Sequence, residues 1–110
     1  MENILAVKIQ TTPQFDKWLR RLRDKRGQAQ ILSRLMRLED GFFGDVKSVG
    51  SAVSEMRIDV GPGYRVYFTR LGNVTVLLLA GGDKQTQSRD IVLARKLARE
   101  WKEGANEPEA

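Results

Sequence analysis

Between residues 54 and 80 the chain holds three strand-sized segments separated by two short turns. Links that short permit only antiparallel pairing, since a parallel return needs a crossover of a dozen residues or more. Ser54 to Val60 alternates, with Met56, Ile58 and Val60 on one face and Glu55, Arg57 and Asp59 on the other. Gly61-Pro62-Gly63 is the first turn: glycine accepts positive φ and proline fixes its own. Tyr64 to Arg70 alternates again, with Tyr64, Val66 and Phe68 opposed to Arg65, Tyr67 and Thr69. Leu71-Gly72-Asn73 is the second turn, and Val74 to Ala80 is apolar nearly throughout, as a central strand covered on both faces would be.

What precedes the meander must cover it. Ala6 to Gln10 reads as a short edge strand, and Thr12-Pro13 opens a helix with a capping hydroxyl and a proline at the first helical position. Phe15, Trp18, Leu19 and Leu22 then form one apolar stripe in a helix predicted over 13–26, with Gly27 as its stop or kink. A second helix is predicted from Gln28 to Asp40, with Ile31, Leu32, Leu35 and Leu38 on one face. Gly41, Gly44 and Gly50 punctuate a loop-rich passage. A last helix from about Gln87 to Lys102 presents Ile91, Ala94, Leu97, Ala98 and Trp101 inward. The order predicts an α+β, two-layer domain: an N-terminal helical hairpin packed on an antiparallel sheet of three or four strands, then a C-terminal helix. Residues 1–102 make the single domain, and 103–110, with three acids and Pro108, are expected to be a disordered tail.

The sequence contains no cysteine and no histidine. That excludes a disulfide framework, a thiolate zinc site, a cysteine nucleophile, a Ser-His-Asp triad and a two-histidine nuclease. No apolar run approaches the length of a membrane span, and the N-terminus lacks the charged start and cleavage site of a secretory signal. A cytoplasmic protein with no membrane partner is expected. Nineteen Lys and Arg against fourteen Asp and Glu leave +5, and the excess is larger without the acidic tail, so polyanions are natural partners. Eight basic residues and two acids lie between Pro13 and Leu38, where a solvated helical surface explains them best.

Counting outward from a three-residue turn at 61–63 places Val60 opposite Tyr64, Asp59 opposite Arg65 and Arg57 opposite Tyr67, unless a bulge slips the register. Arg57, Arg65 and Tyr67 then share a face, with Arg65 near Leu79, and Lys84 after Gly81-Gly82-Asp83 can reach the same edge. Lys47, in the loop before the strands, is a further candidate. Arg offers phosphate a planar fork of donors, Lys a point charge, and Tyr a stacking surface or a proton. A plainer reading competes: Arg57 and Arg65 pair with Glu55 and Asp59 to decorate an exposed sheet, and the two glycines only end a strand. No spacing of acids suggests a metal site, and no cofactor is expected.

The stretches GDVKSVGSAVSEMRIDVGPGYRVYF and LLLAGGDKQTQSRDIVLA resemble the RelE/HigB-type toxins of bacterial toxin–antitoxin modules. The resemblance is narrower still to the phage-Gp49-like, or addiction module killer protein, branch of the RelE/ParE superfamily, and runs from Phe15 to about Leu97. It implies a RelE-like fold and a toxin held inactive by a cognate antitoxin, a small helix-turn-helix protein from the same operon. It also implies metal-independent cleavage of mRNA on the ribosome, which inhibits translation. The Arg of the E-x-R strand motif falls on Arg57, the Arg of the YR motif on Arg65, and the Lys after the third meander strand on Lys84. Lys47 matches the basic residues before the strands. Two departures stand out: RelE's C-terminal Tyr and the late His of HigB have no counterpart here, and Tyr67 could act instead. The same superfamily holds ParE-like toxins, which poison DNA gyrase without cleaving RNA, and this is the alternative function.

Overall fold

The computed structural model describes residues 6–106, the last two as backbone only. In chain order the elements are β1 (Lys8–Thr11), α1 (Pro13–Arg21), α2 (Lys25–Glu39), β2 (Val46–Ser48), β3 (Val53–Ile58), β4 (Tyr64–Leu71), β5 (Thr75–Asp83) and α3 (Gln87–Asn106). The strands form one sheet in the order β1-β5-β4-β3-β2. The meander β3-β4-β5 is antiparallel as its turns require, the short β2 adds to its outer edge, and β1 pairs parallel with β5. The α+β class, the helical hairpin on the sheet and the C-terminal helix are as expected. No described helix is long and apolar enough to cross a membrane.

Sheet alternation sorts the side chains into two cores. Met56, Ile58, Tyr64, Val66, Phe68, Val76 and Leu78 pack with Phe15, Ile31 and Leu38 under α1 and α2. Val53, Tyr67, Leu77, Leu79 and Ala80 pack with Ala94, Leu97 and Ala98 under α3. The helices therefore lie on opposite faces, and α3 makes a third layer. A strand as uniformly apolar as β5 needs cover on both sides.

Local chemistry fixes the boundaries. Thr12 caps α1, accepting from the Phe15 N–H at 3.0 Å, while its own hydroxyl donates to the Leu79 carbonyl at 2.6 Å. Asp24 caps α2 by accepting from the Gly27 N–H at 3.0 Å, so Gly27 lies in the first turn of that helix and does not end the previous one. A Cβ at Gly27 would meet the Tyr64 ring, whose hydroxyl donates to Asp24 at 2.7 Å. Leu32 is 45% exposed and Trp101 39%, so neither belongs to the core face assigned from spacing. Helix α3 continues through Asn106, past the expected start of the tail at Glu103. Residues 107–110 of that tail lie outside the described residues.

The register also differs from the count. The β3–β4 connection has five residues, 59–63, so Ile58 opposes Tyr64, Arg57 opposes Arg65 and Glu55 opposes Tyr67. A shift of two conserves the pleat, which is why the faces were legible although the partners were not. On the other side, Tyr67 pairs with Ala80 and Phe68 with Leu78, leaving Leu79 as a bulge and moving Arg65 opposite Gly82.

Candidate active site

On the α3 face of the sheet, cross-strand neighbours form rows. Val53, Thr69 and Leu77 make an inner row, Glu55, Tyr67 and Ala80 the next, and Arg57, Arg65 and Gly82 the outermost. Helix α3 begins against the middle row: the Gln87 side-chain amide donates to Glu55 at 2.6 Å. The outer row meets the first turn of α3 at Gly82, which lies against the Asp90 carboxylate. There Arg57, Arg65 and Lys84 line a polar cavity of about 260 Å³ together with Asp45 and Asp59. Three of the four cations singled out in the sequence thus converge.

Each is held differently. Arg57 Nε donates to Glu55 at 3.1 Å, a pair within one strand and not across the hairpin. Its carbonyl accepts from Arg34 Nη1 at 2.7 Å and its N–H donates to the Asp45 carbonyl at 2.9 Å, so helix α2 and the β2 approach both hold this end of β3. Arg34 is therefore a structural member of the basic band. Burial is the main influence pushing its pKa down. Arg65 is 9% exposed, and its Nε is buried with no hydrogen-bond partner among the described residues. An unsatisfied buried donor on a cation costs stability unless an anion completes it. Lys84 follows β5 directly, with its methylene stem about 3.5 Å from where a Cβ at Gly63 would sit.

The expectation that Tyr67 shares an open face with the arginines is corrected. Tyr67 is fully buried under α3, and its hydroxyl donates to Glu55 at 3.1 Å. Burial, and then the Glu55 charge, push its pKa well above the usual phenol range. It has no ring face to offer a base, and its proton is held. Lys47 is exposed on β2 opposite Glu55 and does not line the cavity. Burial alone would raise the Glu55 carboxyl, but hydrogen bonds from Gln87, Arg57 and Tyr67 outweigh it and hold the carboxyl below its ordinary value.

Gly81 and Gly82 do not end the strand; β5 runs through both to Asp83. A Cβ at Gly81 would enter the Trp18 ring and one at Gly82 the Asp90 carboxylate, on opposite faces. Asp90 in turn accepts from the Thr86 hydroxyl at 2.5 Å, which fixes the first turn of α3 beside the outer row. Counting outward from the turns missed Asp45 and Gln87. The E-x-R spacing already carried the Glu55–Arg57 contact, since residues two apart in a strand share a face.

No family model matches the sequence. Two solved structures share the architecture. The intact E. coli RelBE toxin–antitoxin complex aligns with a TM-score of 0.59 at 20% identity, over 71% of this chain and 96% of that one. A mutant of the E. coli toxin RelE in the free state aligns with a TM-score of 0.61 at 14% identity, over 79% of this chain and 96% of that one. The likeness is one of fold: the chain is built as RelE is. In sequence, an uncharacterized protein of Haemophilus influenzae is 49% identical over 96 residues, spanning 87% of this chain and 97% of that protein. The chain belongs to the same family as this Haemophilus influenzae protein.

Proposed function

We propose that the protein is the toxin of a type II toxin–antitoxin pair, of the HigB-like, Gp49-like branch, and that it cleaves mRNA on the ribosome without a metal. The observation that carries the reading is the convergence of Arg57, Arg65 and Lys84 on one polar cavity, with Arg65 Nε buried and without a partner among the described residues. The RelE fold, seen in a structure of a toxin–antitoxin complex, supports a toxin and an antitoxin partner.

The reaction is a transphosphorylation. The ribose 2′-oxygen attacks the adjacent phosphorus, the bond from phosphorus to the 5′-oxygen breaks, and a 2′,3′-cyclic phosphate and a 5′-hydroxyl result. Arg57 and Arg65 stabilise the charge on the phosphorane oxygens, and donors pre-aimed at that charge supply most of the acceleration. Lys84 gives a proton to the leaving oxygen. The proton of the 2′-hydroxyl goes to a carboxylate of the cavity, Asp45 or Asp59. Tyr67 takes no part in proton transfer, and Lys47 contributes only to the approach of RNA.

Induced expression with mapping of mRNA ends on ribosomes tests the reading. Growth arrest with cuts in translated mRNA is expected, abolished by Arg65→Ala and weakened by Arg57→Ala and Lys84→Ala. Co-purification with the neighbouring gene product tests the antitoxin. Arrest that persists in the Arg65→Ala, Lys84→Ala double variant, with DNA damage and intact mRNA, would replace this reading with the gyrase-directed one.

A further inference from the structure

Glu55 is fully buried, yet three donors from three directions meet on its carboxylate: Tyr67 Oη at 3.1 Å and Gln87 Nε2 at 2.6 Å on one oxygen, Arg57 Nε at 3.1 Å on the other. Tyr67 comes from β4 and Gln87 from the first turn of α3, so their contacts fix the carboxylate against both the sheet and the helix. Arg57 does not share this burial. Its side chain is 33% exposed against 0% for Glu55, and it lines the cavity. A guanidinium has five N–H donors in one plane. Committing Nε to an immobile carboxylate sets that plane and leaves both terminal nitrogens for the cavity.

Charge adds a second reason. Arg57 and Arg65 are direct cross-strand partners, and like charges so placed repel. The Glu55 carboxylate lies one row behind them on the same face, where its charge lets both arginines point into one cavity.

We infer that Glu55 is a positioning residue: through its Oε1–Nε contact it holds the Arg57 guanidinium oriented toward the phosphate site, with Tyr67 and Gln87 fixing Glu55 in turn. The inference rests on the proposed ribonuclease reading for its kinetic consequence, and on this structure alone for the orientation of Arg57.

Two measurements on the full chain test it. The first is the Arg57 Nε–H signal in proton–nitrogen correlation spectra of the wild type. A resolved signal that exchanges with water at least ten-fold more slowly than that of the exposed Arg99, and that broadens or moves in Glu55→Gln, is expected. Exchange as fast as Arg99 overturns the inference, whatever the protein's activity. The second is single-turnover cleavage of ribosome-bound mRNA. Glu55→Gln and Arg57→Lys should each lower the cleavage rate by about 100-fold, the cost of a reacting group misplaced by an ångström, with little change in the concentration for half-saturation. Wild-type rates in a folded Glu55→Gln also overturn the inference. If Glu55→Gln fails to fold, Arg57→Lys and the wild-type exchange measurement still decide. A wild type that cleaves nothing defeats the ribonuclease reading, while the exchange measurement still stands or falls alone.

Discussion

Arg57 and Arg65 face each other directly across the β3–β4 ladder, two cations in register at the lip of one cavity. The arrangement is unfavourable for the isolated fold and favourable for an anion. Arg65→Met, which keeps most of the stem and removes the charge and the orphaned Nε, should leave stability equal or raise it by up to about 1 kcal/mol. Wild-type protein should gain thermal stability on adding inorganic phosphate, because a ligand bound only to the folded state shifts unfolding by mass action. Arg65→Met should gain less. Equal phosphate stabilisation of both forms, measured by thermal unfolding, would argue against the cavity as the anion site.

The two tyrosines predict the alkaline limit of stability. Tyr64, buried and donating to Asp24, has its pKa pushed up to about 12, and Tyr67 is raised as well. The folded state therefore keeps these protons when the unfolded chain, titrating near ~10, has lost them. Their contribution is fully present below pH ~10 and is lost as pH rises through the folded values. Denaturant unfolding of the wild type should show a steep fall between about pH 10 and 12, and Tyr64→Phe should flatten part of it. On the acid side, Glu55 contributes in the opposite sense. Its lowered carboxyl stabilises above the ordinary value and loses that effect as pH falls through the folded one.

Gly81 and Gly82 were legible as a motif but not as packing. Alternation and turn chemistry reveal which residues share a face, so the grouping of Arg57, Arg65 and Lys84 could be read before any coordinates. Partners were not readable, because the loop over 59–63 takes two more residues than its Gly-Pro-Gly suggests and Leu79 bulges. Nor does a one-dimensional pattern show what covers a polar face: Glu55 looks like surface decoration and Tyr67 like a side chain open to RNA until α3 is laid over them. Glycines chosen for close approach carry no local signal either, since the atoms they admit, in Trp18 and Asp90, lie far away or several residues on.

Those close approaches predict that Gly82→Ala is costly. The added methyl would displace the Asp90 carboxylate from the start of α3, beside the cavity. Overpacking of this kind typically costs about 1–3 kcal/mol. Gly72→Ala, at a turn where a Cβ meets nothing but φ is +77°, should cost about 1 kcal/mol from backbone strain alone. Urea unfolding of the two variants separates the causes. A Gly82→Ala protein as stable as the wild type would mean that the Asp90 contact yields freely.

Thr12 joins two tasks in one buried hydroxyl. Its oxygen accepts from the Phe15 N–H and starts α1, and its proton goes to the carbonyl of Leu79, the bulged residue just past the last β1–β5 pair. Thr12→Val preserves shape and β-branching but removes both bonds. Loss of a cap costs about 0.5–2 kcal/mol. Leaving a buried acceptor unmade adds about 1–3 kcal/mol. Thr12→Val should therefore destabilise by about 1.5–5 kcal/mol, the sum of those two effects. Thr12→Ser keeps both bonds and loses one methyl, which costs about 1 kcal/mol. Denaturant unfolding at neutral pH gives the comparison, and a valine variant no weaker than the serine variant would show that the hydroxyl does not tie α1 to the sheet.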